Sequence, residues 1–408
     1  MVALANIAEE ETQYFFSQAK DVYEYNQLKV LAAFHKNKIS TECFNGTSGY
    51  GYNDIGREMI DKVYADIFGT EAALVRYGIS SGTHALSIAL FGNLRPGDKL
   101  LCATGAPYDT LKETIGIIGD GNGSLRDFGI SYAQVDLLDN GEPDYKRIAE
   151  AAGDKSVKLV LIQRSKGYSY RDSLSCEKIG KIIDAIKAQN SNVICMIDNC
   201  YGEFVEKKEP TQYGADIVCG SLIKNIGGGI AETGGYVVGK EKYVEHASYK
   251  LNAIGMGREC GATLNSNKPI LQGLFLAPQS VYNAIISAIF SAKMCELMGF
   301  DTKPSSDEVR TDIIQAIKFN DKDKVIAFCR GIQNGAPIDA HVTPVPWSMP
   351  GYQNEVIMAA GAFTQGSSIE LSADAPIRPP YIAYMQGGLT YFSAKVGILK
   401  GLEGCKEI

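Results

Sequence analysis

Between about residues 70 and 240 the chain alternates short apolar runs with stretches of helical period, the rhythm of β-α-β units. Lys99–Ala103, Ser131–Leu137, Lys158–Gln163, Val193–Asp198, Ile217–Cys219 and Gly235–Val238 read as buried strands. Several are almost continuously apolar, as parallel strands covered on both faces are. Asp144–Ala152 and Cys176–Gln189 carry apolar residues at helical spacing with charged residues opposite, which predicts helices lying on that sheet.

Beyond about residue 275 the pattern changes. Val281–Met298 reads as one long helix, followed by Asp- and Lys-rich turns and a shorter helix near Lys322–Gln333. The first 45 residues space Phe15, Val22, Leu28 and Leu31 helically and contain no strand, so they cannot form a compact unit alone. They are expected to be an arm that packs on another subunit. The resulting division is an N-terminal helical arm (1–48), a large domain (49–275) and a smaller C-terminal domain (276–408). Neither repeats nor low-complexity tracts interrupt it.

Composition narrows the class of protein. The 408 residues are 45% hydrophobic and 21% charged, too apolar for disorder and long enough for two cores. Forty basic against 47 acidic residues leave a net charge of -7, the wrong sign for a general binder of nucleic-acid phosphates. The opening residues are acidic where a secretory leader is basic, and the apolar run Ala284–Ala292 stops at Lys293. A cytoplasmic protein with no membrane or nucleic-acid partner is expected. Ten scattered cysteines with no C-x-x-C pair fit reduced core residues better than disulfides or zinc, and no metal site is expected.

Two glycine motifs fail on inspection. Gly119–Ser124 has serine where a dinucleotide-binding turn needs its third glycine, and Gly234–Lys240 is followed by Glu241 in place of the hydroxyl that holds magnesium. His84, His246 and His341 lack partners at metal-ligand spacing.

Four features in order carry chemistry instead. Ser80–His84 opens a helical run and aims free backbone N–H groups at an anion. Tyr108 follows the strand ending near Ala103, where its ring can lie on a flat ligand. Asp198 ends an apolar strand, the position that faces the ligand crevice of an open α/β sheet. Lys224 follows another buried strand, three residues after Ser221, in company where burial would lower its pKa and free the amine to attack an aldehyde. Phosphate turn, aromatic, strand-end carboxylate and Ser-x-x-Lys on successive units together suit pyridoxal 5'-phosphate.

With those residues in place the chain resembles the aluminium-resistance, methionine gamma-lyase-related branch of the Cys/Met-metabolism pyridoxal phosphate enzymes. The likeness runs nearly end to end, through Gly49–Arg57, Leu94–Asp98, Ile197–Phe204, Gly220–Asn225 and Gly366–Ser372. The resemblance implies fold type I: a mostly parallel seven-stranded sheet flanked by helices, with a smaller C-terminal α+β domain. It implies that Lys224 carries the cofactor through a Schiff base, that Asp198 pairs with the pyridine nitrogen and that Tyr108 stacks on the ring. Ser81, Gly82, Thr83 and Ser221 would bind the phosphate. Tyr52 and Arg57 are the nearest match to a Tyr-x-Arg that reaches the phosphate of a neighbouring subunit, which implies a homodimer or homotetramer with shared active sites. Gln163-Arg164-Ser165 stands where the wider group has Asn-Pro, and Ile223 replaces the hydroxyl before the lysine. Arg378 is the candidate for the substrate carboxylate, because a guanidinium matches a carboxylate in two hydrogen bonds. The implied reaction is carbon-sulfur cleavage of a cystathionine-, methionine- or cysteine-type amino acid, with Lys224, Asp198 and Tyr108 catalytic. An aminotransferase, or a cofactor-retaining binding protein with little turnover, is the alternative.

Overall fold

In the computed structural model, which describes residues 1–349, 352 and 354–406, two sheets share one long helix. The chain begins with α1 (Val2–Lys36) and α2 (Ile55–Phe68). The large sheet then forms from β1 (Ala72–Arg76), β2 (Lys99–Cys102), β3 (Ser131–Gln134), β4 (Val157–Gln163), β5 (Ile194–Asp198), β6 (Ile217–Ser221) and β7 (Gly235–Gly239). Helices α3 (Gly82–Asn93), α4 (Asp109–Ile115), α5 (Tyr145–Ala152), α6 (Cys176–Gln189) and α7 (Glu241–Leu251) alternate with these strands or follow them.

The spatial order is β1-β7-β6-β5-β4-β2-β3. The contiguous run β6-β5-β4-β2-β3 is parallel, and β7 is antiparallel to both β6 and β1. The apolar runs become this central sheet because alternate residues feed two cores. Val160 and Ile162 of β4 join α2, α5 and α6 on one face, through Ile60, Ile148 and Ile179. Leu159 and Leu161 join α3 and α7 on the other, through Ala85, Ala89 and Val244.

The predicted strand 131–137 is shorter and lies at the sheet edge with partly exposed side chains, because only β2 pairs with it. β1 has no counterpart among the sequence-predicted strands. Its run is only five residues and ends in Arg76, whose guanidinium is held by Asp61 at 2.7 Å.

The second sheet, β10-β11-β12-β9-β8, is antiparallel. It consists of β8 (Asp301–Lys303), β9 (Ile314–Lys318), β10 (Val356–Ala360), β11 (Ser372–Pro376) and β12 (Ile382–Gln386), with α9 (Lys322–Asn334) and α10 (Tyr391–Gly404). The predicted boundary at 275/276 falls inside α8 (Asn267–Leu297), so that one helix belongs to both bodies. Its length and apolarity match a membrane span, yet two-thirds of its most apolar stretch is buried within the fold.

The N-terminal arm is anchored within its own chain. Its inner face packs along α8 of the same chain. Glu9 receives Tyr391 Oη and Lys395 Nζ, each at 2.8 Å, and Asn26 Nδ2 donates to the carbonyls of Phe204 and Glu206. Small residues at Ala5, Ala8 and Ala33 permit this close approach. All ten cysteines are buried and free, matching the scattered spacing.

Candidate active site

The carboxyl ends of β2, β4, β5 and β6 open toward one side of the large sheet, where loops are free to converge. Ser81, Gly82, Thr83, Tyr108, Asp198, Ser221 and Lys224 all line a single cavity there of ≈ 180 Å³. Ser81 is the N-cap of α3 and its Oγ accepts the His84 N–H at 3.0 Å. A Cβ on Gly82 would stand 3.0 Å from Cys200 Sγ and 3.6 Å from Ser221 Cβ, so only glycine leaves this corner open beside the helix terminus. Thr83 and Thr110 share a hydrogen bond of 2.6 Å between their hydroxyls.

Asp198 ends β5 and is buried. Burial pushes its carboxyl above the usual range, against the pull of the Cys200 N–H, which donates to Oδ1 at 3.2 Å, and of Lys224. Lys224 follows β6, with its Nζ 3.6 Å from the centroid of the Tyr201 ring. The sequence suggests that burial lowers this lysine. Burial does pull it down, but Tyr201, Cys200 and Asp198 pull harder, and its pKa is raised. The amine is therefore an ammonium in this pocket, held over an aromatic face and beside a carboxylate.

Tyr108, the N-cap residue of α4, shares a 3.0 Å hydrogen bond with Tyr352 Oη, and burial, Tyr201 and Tyr352 push its phenol well above the ordinary value. At neutral pH it is a proton donor. Gln163 ends β4 and its Nε2 donates to the Ser165 carbonyl, leaving Oε1 buried without a partner among the described residues. Arg164 turns away from the cavity. Fully buried, it donates to Asn199 Oδ1 at 2.8 Å and to Glu206 Oε2 at 2.5 Å, under the turn that follows Asp198. Ile223 lines the cavity beside the lysine.

Three of the expected residues stand elsewhere. Arg57 is 1% exposed, and its guanidinium donates to the carbonyls of Gly51, Gly261 and Glu259 at 2.6, 2.8 and 3.0 Å. It clamps two loops through Nη1 and Nη2, while its Nε is buried without a partner among the described residues. Tyr52 is exposed and stacks on Tyr50, away from its own chain's cavity. Arg378 lines a neighbouring cavity of ≈ 340 Å³, which shares Tyr108, Gln163 and Gly167 with the first.

Cys200, Tyr201 and Gly366 also line the inner cavity without being singled out by the sequence. Tyr201 lay within a recognised block, but no periodicity reveals its left-handed backbone, φ 73°, which Asn225 stabilises by donating Nδ2 to the Tyr201 carbonyl at 3.0 Å. Tyr352 arrives from the loop before β10 and has no local sequence signal.

The donor set fits a flat, singly phosphorylated aldehyde. A helix terminus with an open glycine corner and two hydroxyls suits the phosphate, an amine suits the aldehyde, and a buried carboxylate suits a ring nitrogen.

Comparison with known proteins places the chain. The family model for methionine gamma-lyase matches residues 1–406. An uncharacterised Bacillus subtilis protein, YnbB, is 53% identical over 391 residues, covering 96% of this chain and 93% of its own. A Clostridium novyi structure described as a carbon-sulfur lyase involved in aluminium resistance superposes with a TM-score of 0.96 at 52% identity, over 100% of this chain and 96% of that one. A Listeria monocytogenes structure, assigned provisionally as a cystathionine beta-lyase involved in aluminium resistance, gives 0.97 at 49%, over 99% and 100%. More distant fold type I structures, such as a Xanthomonas oryzae cystathionine gamma synthase at 16% identity and a TM-score of 0.59, share the fold. With this fold, this pocket and a match along nearly its whole length, the chain belongs to the methionine gamma-lyase family.

Proposed function

We propose that the chain is a pyridoxal phosphate-dependent carbon-sulfur lyase, cleaving a sulfur-containing amino acid by β- or γ-elimination to a thiol, a keto acid and ammonia. The observation that carries this reading is the placing of Lys224 and Asp198 on one small cavity, within a family named for such cleavage. When bound, pyridoxal phosphate supplies an electron sink for negative charge developing at the substrate Cα.

The chain's own residues do the rest. Lys224 would hold the cofactor through its aldehyde, and its Nζ is the group placed to move the substrate Cα proton. Asp198 holds positive charge at the ring nitrogen, its own charge kept from water by burial. The N–H groups at the start of α3, with Thr83 and Ser221, hold the phosphate. Tyr108 delivers a proton to the leaving sulfur. Leu86, Leu111 and Ile223 keep the walls apolar and limit water. Arg378 receives the substrate α-carboxylate in the outer cavity, where its guanidinium has only the Tyr168 carbonyl, at 3.3 Å, as a described partner.

Borohydride reduction of the cofactor-loaded protein followed by peptide mapping tests the covalent site. The adduct is expected on Lys224; an adduct on another lysine, or none, overturns the assignment. Assay of thiol, keto acid and ammonia from cystathionine, cysteine and methionine tests the reaction. Conversion of the cofactor to its amine form by an amino donor, without thiol release, would instead favour an aminotransferase.

A further inference from the structure

A third cavity, of ≈ 300 Å³, lies between the N-terminal arm and α8 and shares no residue with the two already described. Small-molecule sites start at about this size. Phe15 and Val22 of α1 and Val281, Ile285 and Ile289 of α8 give it apolar walls. One group contradicts those walls. Arg310 also lines the cavity, although it is only 7% exposed. Its Nη2 reaches the carbonyls of Ala288 and Ser305, each at 3.4 Å, while Nε and Nη1 have no hydrogen-bond partner among the described residues.

Burial lowers the Arg310 pKa to about 10, against the pull of Asp312, Glu296 and Glu308, so the side chain is a cation at neutral pH. Each of those carboxylates is engaged elsewhere. Asp312 accepts the hydroxyls of Ser165 and Ser173, Glu296 accepts the Ser306 N–H at 2.7 Å and its hydroxyl at 2.6 Å, and Glu308 accepts the Ser305 N–H at 2.7 Å. A cation withdrawn from water with idle donors is costly, and a ligand carboxylate would satisfy them. The mouth of the cavity has the opposite sign. Glu206, Asp307 and Glu308 stand there against Lys207, whose Nζ lies over the Tyr25 ring at 5.8 Å. Asp307 accepts the Ser305 hydroxyl at 2.7 Å and has no cation within ion-pair distance among the described residues.

We infer that this cavity is a second ligand site, for a free α-amino acid with an apolar side chain, its carboxylate on Arg310, its ammonium toward the acidic mouth and its side chain between α1 and α8. A plain carboxylate would satisfy Arg310 but meet repulsion at the mouth, and a plain amine would leave Arg310 unpaired; the zwitterion matches both ends. The site is independent of the lyase reading. It adjoins the catalytic cavity through Glu206, which also accepts Arg164 Nη2 at 2.5 Å under the turn that follows Asp198.

Calorimetric titration tests the site on cofactor-loaded protein reduced with borohydride, which can no longer take up an amino acid on its cofactor. Leucine is compared with 4-methylpentanoate, which lacks the ammonium, and 3-methylbutylamine, which lacks the carboxylate; phenylalanine is compared with 3-phenylpropanoate and phenethylamine. At least one of the two amino acids is expected to bind tenfold or more tightly than both of its analogues. Arg310→Met, an apolar chain in place of an unpaired buried cation, should keep the fold and erase the advantage over the amine. Val22→Trp, at a partly buried wall position, should block binding with Arg310 intact. No binding of either amino acid, or binding no tighter than that of the analogues, overturns the inference without reference to any variant, as does undiminished binding in both folded variants. Sedimentation in which Val22→Trp splits an oligomer of the unaltered protein also overturns it, because a second copy of the chain would then cover the cavity.

Discussion

Arg164→Met is the sharpest test of how the core supports the site. The guanidinium is fully buried and bridges Asn199, Glu206 and Glu209, with the Glu209 contact at 3.8 Å. Removing it leaves Glu209, 1% exposed, without its cation. Breaking a buried pair from one side costs about 3–5 kcal/mol. Here Glu209 retains the Phe204 N–H at 3.0 Å and Asn199 Nδ2 at 3.2 Å, and Glu206 is partly exposed, so the lower end, about 3 kcal/mol, is expected. Urea unfolding by linear extrapolation reads it. Arg164→Met with Glu209→Gln should recover roughly half, because the stranded charge is gone. A loss below about 1 kcal/mol, or no recovery in the double variant, refutes the argument that Arg164 compensates buried charge beneath Asp198.

Gly82→Ala should weaken pyridoxal phosphate binding at least tenfold, read by titrating the stripped protein, while its unfolding midpoint barely moves, because the added methyl fills the corner between Cys200 and Ser221; unaltered affinity would remove Gly82 from the phosphate site. Tyr108→Phe should lower kcat roughly a hundredfold for substrates with poor thiol leaving groups and less for good ones, as loss of a general acid does; a uniform effect across leaving groups would reassign the proton donor. Glu203 is buried with its carboxyl pushed up to about 8, against the hydrogen bond donated by Tyr236 Oη at 2.8 Å. The folded protein therefore binds this proton more tightly than the unfolded chain, and the contribution to stability falls as pH rises from about 4.5 toward 8. Glu203→Gln should flatten that segment of the stability profile measured by denaturant titration, and an unchanged slope would show that the carboxyl is not the titrating group.

The central strands were legible because burial on both faces makes them continuously apolar, and the site residues at their ends inherit their positions from that sheet. Ser81, Gly82, Thr83, Tyr108, Asp198, Ser221 and Lys224 could all be placed in this way. What sequence spacing could not give was the direction of a side chain. Spacing does not tell that two nitrogens of the Arg57 guanidinium are held by backbone carbonyls, nor that Arg164, in the segment that stands where Asn-Pro is usual, turns away from the cavity to Asn199. Tyr352 and Arg378 come from distant segments whose approach depends on how the second sheet docks, which no local pattern encodes. The sign of the Lys224 shift is hidden from the sequence in the same way, since it depends on neighbours that only the fold assembles.

α8 has a mechanical consequence. It runs unbroken from beneath the large sheet into the small domain, and α1, fixed through Glu9 to Tyr391 and Lys395, lies beside it as a brace. Wide separation of the two sheets would have to bend this double rod, and the proline within it, Pro278, is itself packed in the core. A molecule entering the site therefore passes the side chains and loops at the rim of the outer cavity, while this rod holds the spacing between the two sheets.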